Sequence, residues 1–80
     1  MRTSQPAFVI RDFPDLGKIR VRLLRTQSAS RTATWLDIRE FENGPNYMGF
    51  TRRGVKLAKI EDVRLLREAL ETIEREQLFQ

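Results

Sequence analysis

Residues 18–26 (KIRVRLLRT) alternate, with Ile19, Val21 and Leu23 falling on one side and Lys18, Arg20, Arg22 and Leu24 on the other. A period of two is that of a β-strand, whose successive side chains point to opposite faces. Residues 33–41 (ATWLDIREF) repeat the pattern, placing Thr34, Leu36, Ile38 and Glu40 on one face and Trp35, Asp37, Arg39 and Phe41 on the other. Residues 7–13 (AFVIRDF) are β-rich, and residues 47–57 (YMGFTRRGVKL) form a fourth extended segment in which Gly49 and Gly54 mark a bulge or bend. Turn signals separate these runs: Pro14-Asp15-Leu16-Gly17, the small polar stretch 27–32 (QSASRT), and residues 42–46 (ENGPN) with Asn-Gly and Gly-Pro. From Ile60 the period lengthens. Val63, Leu66, Leu70 and Ile73 recur at three- and four-residue spacing, widened by Leu65 and Ala69, which predicts an amphipathic helix reaching about Leu78. Glu61 and Asp62 suit its first turn, where the helix dipole favours negative charge.

Four strands followed by one helix predict an α+β domain, a four-stranded antiparallel sheet with a C-terminal helix in the order β-β-β-β-α. One helix covers one face. The side bearing Ile19, Val21, Leu23, Leu36 and Ile38 is expected to pack on Val63, Leu66, Leu70 and Ile73. The opposite side, with Lys18, Arg20, Arg22, Trp35, Asp37, Arg39 and Phe41, is expected to stay uncovered. Residues 7–80 are read as a single domain after a flexible N-terminus at 1–6.

Composition narrows what such a domain does. A chain of 80 residues buries only about 60% of the surface that its unfolded form exposes, so it needs additional support. It has no Cys and no His. Disulfides are excluded and a structural zinc is disfavoured, which leaves oligomerisation and points to a homodimer. No signal-peptide pattern and no membrane-spanning run occur, so a soluble, cytoplasmic protein is expected. Catalysis is disfavoured: the commonest general base and the thiol nucleophile are missing. Asp12, Asp15, Asp37, Glu40 and Glu42 lack a two-metal spacing, and Gly44, Gly49 and Gly54 fit no phosphate-loop or dinucleotide fingerprint. No cofactor and no metal is expected.

The charge is uneven. Residues 1–58 hold eleven Lys/Arg against five Asp/Glu, a surplus of +6, and residues 59–80 hold four against six, −2. A basic sheet with aromatic rings between its charges suits single-stranded nucleic acid: phosphates meet Arg and Lys, and unstacked bases lie on rings for ~1–3 kcal/mol each. Two plainer readings stand beside it. Trp35 and Phe41 could dock a protein partner, and Asp37 with Arg39 could be a surface ion pair worth ~0–1 kcal/mol.

The run Leu36-Asp37-Ile38-Arg39-Glu40-Phe41, a short turn, Met48, then Arg52-Arg53-Gly54-Val55-Lys56-Leu57 and an amphipathic helix resembles a known pattern. It is similar to the single-stranded-DNA-binding domain of the transcriptional positive cofactor four family, eukaryotic coactivators with bacterial relatives. That family's hallmarks are an "IDIREYW" strand, a loop, a strand with two basic residues before a glycine, and a C-terminal helix. The similarity spans residues 34–73. It implies a homodimer that binds unpaired or melted DNA with little sequence preference, without enzymatic activity, in transcription regulation or the handling of unpaired DNA. Carried over by position, the strand arginine is Arg39, the basic pair Arg52 and Arg53, and the glycine Gly54. The family's stacking tryptophan aligns with Glu42, leaving Trp35 or Phe50 to supply a ring, and Arg25 lies nearest the family's first-strand arginine. The eukaryotic Ser/Thr- and Lys-rich regulatory region has no counterpart, which suggests a bacterial or phage-type member associated with the nucleoid. The candidate interface is therefore Arg20, Arg22, Trp35, Arg39, Phe41, Phe50, Arg52, Arg53 and Gly54, with Lys56 and Tyr47 as secondary candidates. Single-stranded DNA is the expected ligand, RNA the alternative on the same face, and the transcription machinery a further partner.

Overall fold

The computed structural model describes residues 6–79, in which four strands and one helix follow in chain order: β1 (Phe8–Asp12), β2 (Ile19–Gln27), β3 (Thr32–Asn43), β4 (Met48–Leu57) and α1 (Ile60–Glu76). Residues 1–5 of the expected flexible N-terminus lie outside the described residues, as does Gln80. The strands form one antiparallel sheet in the order β1-β2-β3-β4, each paired with its neighbour in sequence. The expected α+β, β-β-β-β-α architecture is what the chain adopts.

Short turns set the registers. Leu16 and Ile19 exchange backbone hydrogen bonds of 2.8 and 3.0 Å around the corner Gly17-Lys18. Gly17 has φ +63°, Lys18 does not enter the positive region, and a glycine at the first corner is the type II′ signature. The expected turn therefore closes two residues later than Pro14 to Gly17 suggests. Ser28 and Arg31 pair around Ala29-Ser30 in the same way, which aligns β2 with β3 without interruption from Ile19↔Glu40 to Gln27↔Thr32. In the last connection Gly44 donates to the Tyr47 carbonyl at 2.9 Å, so that Pro45-Asn46 is the corner. The β3–β4 ladder then carries an irregularity. Arg39 opposes Gly54 and Phe41 opposes Phe50, so Thr51, Arg52 and Arg53 face the single residue Glu40.

Directly opposed residues of an antiparallel pair share a face. One face therefore holds Ile19, Val21 and Leu23 with Leu36 and Ile38, extended by Val55 and Leu57. The other holds Arg20, Arg22 and Leu24 with Trp35, Asp37, Arg39 and Phe41, extended by Phe50 and Lys56. The two faces expected from the alternation are both formed.

The helix does not lie where expected. No residue of α1 is buried. Only its start comes near the apolar face, where Ile60 and Val63 border a groove of about 560 Å³ lined also by Phe13, Val21, Leu23 and Leu57. Leu66, Leu70 and Ile73 run on past it, and Leu65 and Leu70 are exposed. The packing of Leu66, Leu70 and Ile73 on the sheet is thus corrected: α1 leaves the edge strand β4 through Ala58-Lys59 and, at 1.5 Å per residue, extends about 25 Å, carrying its stripe away from the sheet. The helix closes on Gln77 in the left-handed region (φ 54°), with Leu78 N–H donating to Ile73 O at 3.0 Å. No helix among the described residues is long and apolar enough to cross a membrane.

The protomer is consequently open. Its radius of gyration is 15.5 Å, against about 12 Å for a compact chain of this length. Its accessible surface is 7063 Å², where a compact monomer of its 9.5 kDa mass would expose about 5,000 Å². Among the described residues the buried ones are Leu24 and Asp37. Both sit on the charged face, not the apolar one.

Candidate nucleic-acid interface

The charged face is assembled from three strands. Alternation on β2 places Arg20 and Arg22 one step apart on the same side, β3 contributes Trp35, Asp37, Arg39 and Phe41, and β4 adds Phe50 and Lys56. Each ring meets a cation. The Arg20 guanidinium carbon stands 4.0 Å above the Phe41 ring centre, that of Arg22 3.8 Å above Phe50, and the Lys56 ammonium 4.3 Å above Trp35. These lie well inside the ~6 Å range at which a ring's negative face attracts a cation. Phe41 and Phe50 meet edge to face, with centres 5.0 Å apart and planes at 83°.

Asp37 ties the arginines together. It is 4% exposed, which would be costly for an unpaired carboxylate. Arg39 donates from Nε to both carboxylate oxygens, at 3.1 and 3.2 Å, and from a terminal nitrogen to Oδ1 at 3.0 Å. A second terminal nitrogen of Arg39 reaches the Thr51 carbonyl at 3.2 Å, anchoring the group to β4. Arg22 approaches Oδ2 at 3.6 Å from the other side. Arg20 is held at its Nε by Asp15 at 3.2 Å. The Asp37–Arg39 pair is therefore a buried junction of two arginines rather than an ordinary surface ion pair. Arg20, Arg22, Arg39 and Lys56 against their partners Asp15 and Asp37 leave a surplus of two positive charges in this cluster.

The structure brings Arg20, Arg22, Trp35, Arg39, Phe41 and Phe50 onto this one surface, with Trp35 and Arg39 half-buried rather than sealed inside. Arg53 turns the other way, pairing with Glu40 and lying 3.6 Å from Glu42 beside the apolar face. Arg52 is exposed within the irregular stretch of β4. Gly54 packs against its own sheet: a Cβ there would lie 2.5 Å from the Ile38 carbonyl oxygen and 2.9 Å from Arg39 Cα. Arg25 opposes Thr34 and donates to its hydroxyl at 2.9 Å, on the apolar side. Tyr47 folds back, its hydroxyl donating to the Phe50 carbonyl at 2.7 Å.

Two features go beyond the sequence reading. Lys56 covers Trp35, and Arg22 shares Asp37. The second had a signal: pairing outward from an Ala29-Ser30 corner sets Arg22 opposite Asp37. Comparison of the chain with family models, with curated proteins and with solved structures finds no match in any of the three.

Proposed function

We propose that this protein is a non-enzymatic, single-stranded-DNA-binding protein of the transcription coactivator type, acting as a homodimer in the cytoplasm at the nucleoid. The observation that carries the reading is a sheet face, uncovered by the helix, on which three cations alternate with three aromatic rings at 3.8–4.3 Å. Such a face offers phosphates their counter-charges and offers unstacked bases flat partners, and a twisted sheet lets a strand lie extended across it. Arg52 is exposed on the edge strand, where a phosphate can reach it. Duplex DNA keeps its bases stacked inside and gives up the second contribution.

The decisive measurement is affinity for a single-stranded oligonucleotide, its duplex and the matching RNA over a range of salt. Single-stranded DNA is expected to bind tightest. Five arginines (20, 22, 39, 52 and 53) each neutralising a phosphate would give a log–log salt slope of about −3.5 per protomer, at −0.7 per contact. Asp15, Asp37, Glu40 and Glu42 already pair with four of them, so a slope nearer about −1 is expected. Trp35 emission should change on binding. Salt-insensitive binding, or equal affinity for duplex, would sink the reading, and tighter binding of RNA would move it to RNA.

The homodimer is supported by the roughly 2,000 Å² by which the protomer's surface exceeds that of a compact monomer. Obligate dimers bury about 1,000–2,500 Å² on each side, and their interfaces resemble a core cut in half. The apolar face and the stripe of Leu66, Leu70 and Ile73 are the matching halves. Sedimentation at micromolar concentration should give twice 9.5 kDa, and Leu66→Asp with Leu70→Asp should abolish the dimer and the folded state together. A folded monomer at that concentration contradicts the assignment.

A further inference from the structure

We infer that bases of the bound strand stack on the guanidinium planes of Arg20 and Arg22, with Phe41 and Phe50 serving as the floor that holds those planes flat. This rests on the nucleic-acid reading above and assigns the arginines a role other than phosphate binding. At 4.0 and 3.8 Å from the ring centres, the two guanidinium carbons are at the contact distance of flat groups lying against each other. Each arginine thereby takes one face of its phenyl ring. The edge-to-face contact between Phe41 and Phe50 takes a third, so of the four phenyl faces one is left for a base.

The arginines' in-plane edges lie beside carboxylates. Asp15 holds the Arg20 Nε at 3.2 Å, and Asp37 Oδ2 lies 3.6 Å from a terminal nitrogen of Arg22, whose buried Nε makes no hydrogen bond. A phosphate approaching those edges would meet a carboxylate beside the guanidinium. The outer planes carry no such penalty, and a guanidinium is planar, delocalised and weakly hydrated, so it stacks as an aromatic group does. The Arg20 side chain is 39% exposed and that of Arg22 20%, which makes Arg20 the principal platform. Base stacking and phosphate pairing are thus assigned to different arginines, with exposed Arg52 left for phosphate.

The test compares wild type, Arg20→Lys, Arg22→Lys and the double variant, binding an oligothymidylate and an abasic strand of equal length across salt. Lysine keeps the charge and loses the plane. Wild type is expected to prefer oligothymidylate over the abasic strand. The double variant should bind oligothymidylate about tenfold more weakly, with the salt slope and the abasic affinity unchanged. Unaltered oligothymidylate affinity in the double variant would show that the two arginines act as charges alone, and overturn the inference. Equal weakening on both strands would overturn it too, assigning the stack to folding. The wild-type comparison needs no substitution: binding both strands alike with a clear salt slope refutes stacking while leaving the phosphate-binding reading intact. Binding neither strand removes the nucleic-acid reading itself and this inference with it.

Discussion

Replacing Gly54 by alanine should lower the melting temperature by 10 °C or more. The added Cβ would sit 2.5 Å from the Ile38 carbonyl oxygen, 2.9 Å from Arg39 Cα and 3.1 Å from Arg39 Cβ. None of these is the far end of a flexible side chain. Relief requires β4 to move off β3, at the point where Arg39 opposes Gly54, next to the three-residue irregularity at Thr51, Arg52 and Arg53. Overpacking of a tight site costs about 1–3 kcal/mol, more where backbone must move, and about 3 kcal/mol is expected. For a domain of this size each kcal/mol shifts the midpoint by about 4–8 °C. Thermal unfolding at one fixed protein concentration reads the effect, since dimerisation would make the midpoint concentration-dependent. A shift under about 2 °C would mean that β4 has slack at this position which the geometry denies it. The glycine before which two basic residues stand is thus needed for strand-to-strand approach, whatever ligand the sheet binds.

Asp37→Asn should reduce stability by about 2–3 kcal/mol and at the same time tighten single-strand binding. The carboxylate is almost fully buried and accepts three hydrogen bonds from Arg39, with Arg22 at 3.6 Å. Asparagine keeps the volume and removes the charge, leaving two guanidinium groups close together without a counter-ion. Removing one partner of a fully buried ion pair costs about 3–5 kcal/mol. Because the Arg22 and Arg39 side chains remain 20% and 23% exposed, water relieves part of that. Urea unfolding measures the loss. The same substitution leaves the face one charge more positive, so under the proposed function its affinity should rise at low salt and its salt slope should steepen by about 0.7. A variant losing both stability and affinity would indicate that Asp37 mainly shapes the site, and unchanged stability would contradict its place at the junction of the two arginines.

The strands, the helix and the division of the sheet into an apolar and a basic-aromatic face were legible in the chain. The reason is local. A period of two in residues 18–26 and 33–41 assigns each side chain to a face regardless of what lies beyond the strand. The stripe from Val63 to Ile73 likewise identifies a helix from spacing alone. Five of the nine candidate site residues (Arg20, Arg22, Trp35, Arg39 and Phe41) share one surface for that reason, and Phe50 joins them by opposing Phe41 across the strands. Arg53 and Gly54 were harder, because alternation fails where three residues of β4 oppose Glu40, and the face of each residue there depends on how the irregularity is absorbed.

Alternation along the strands therefore told which residues face together, because neighbours two apart share a side in any sheet. It did not tell which face is covered. Ala58 and Lys59 are too few to reveal the direction in which the helix leaves β4, and a stripe of leucines records that a partner is needed without saying where it is. Folding directed that helix away from its own sheet, left the apolar face open, and buried Asp37 among arginines on the side expected to be bare. Those outcomes depend on angles between elements and on contacts across strands. Such quantities arise from the simultaneous packing of distant residues, so no local pattern carries them.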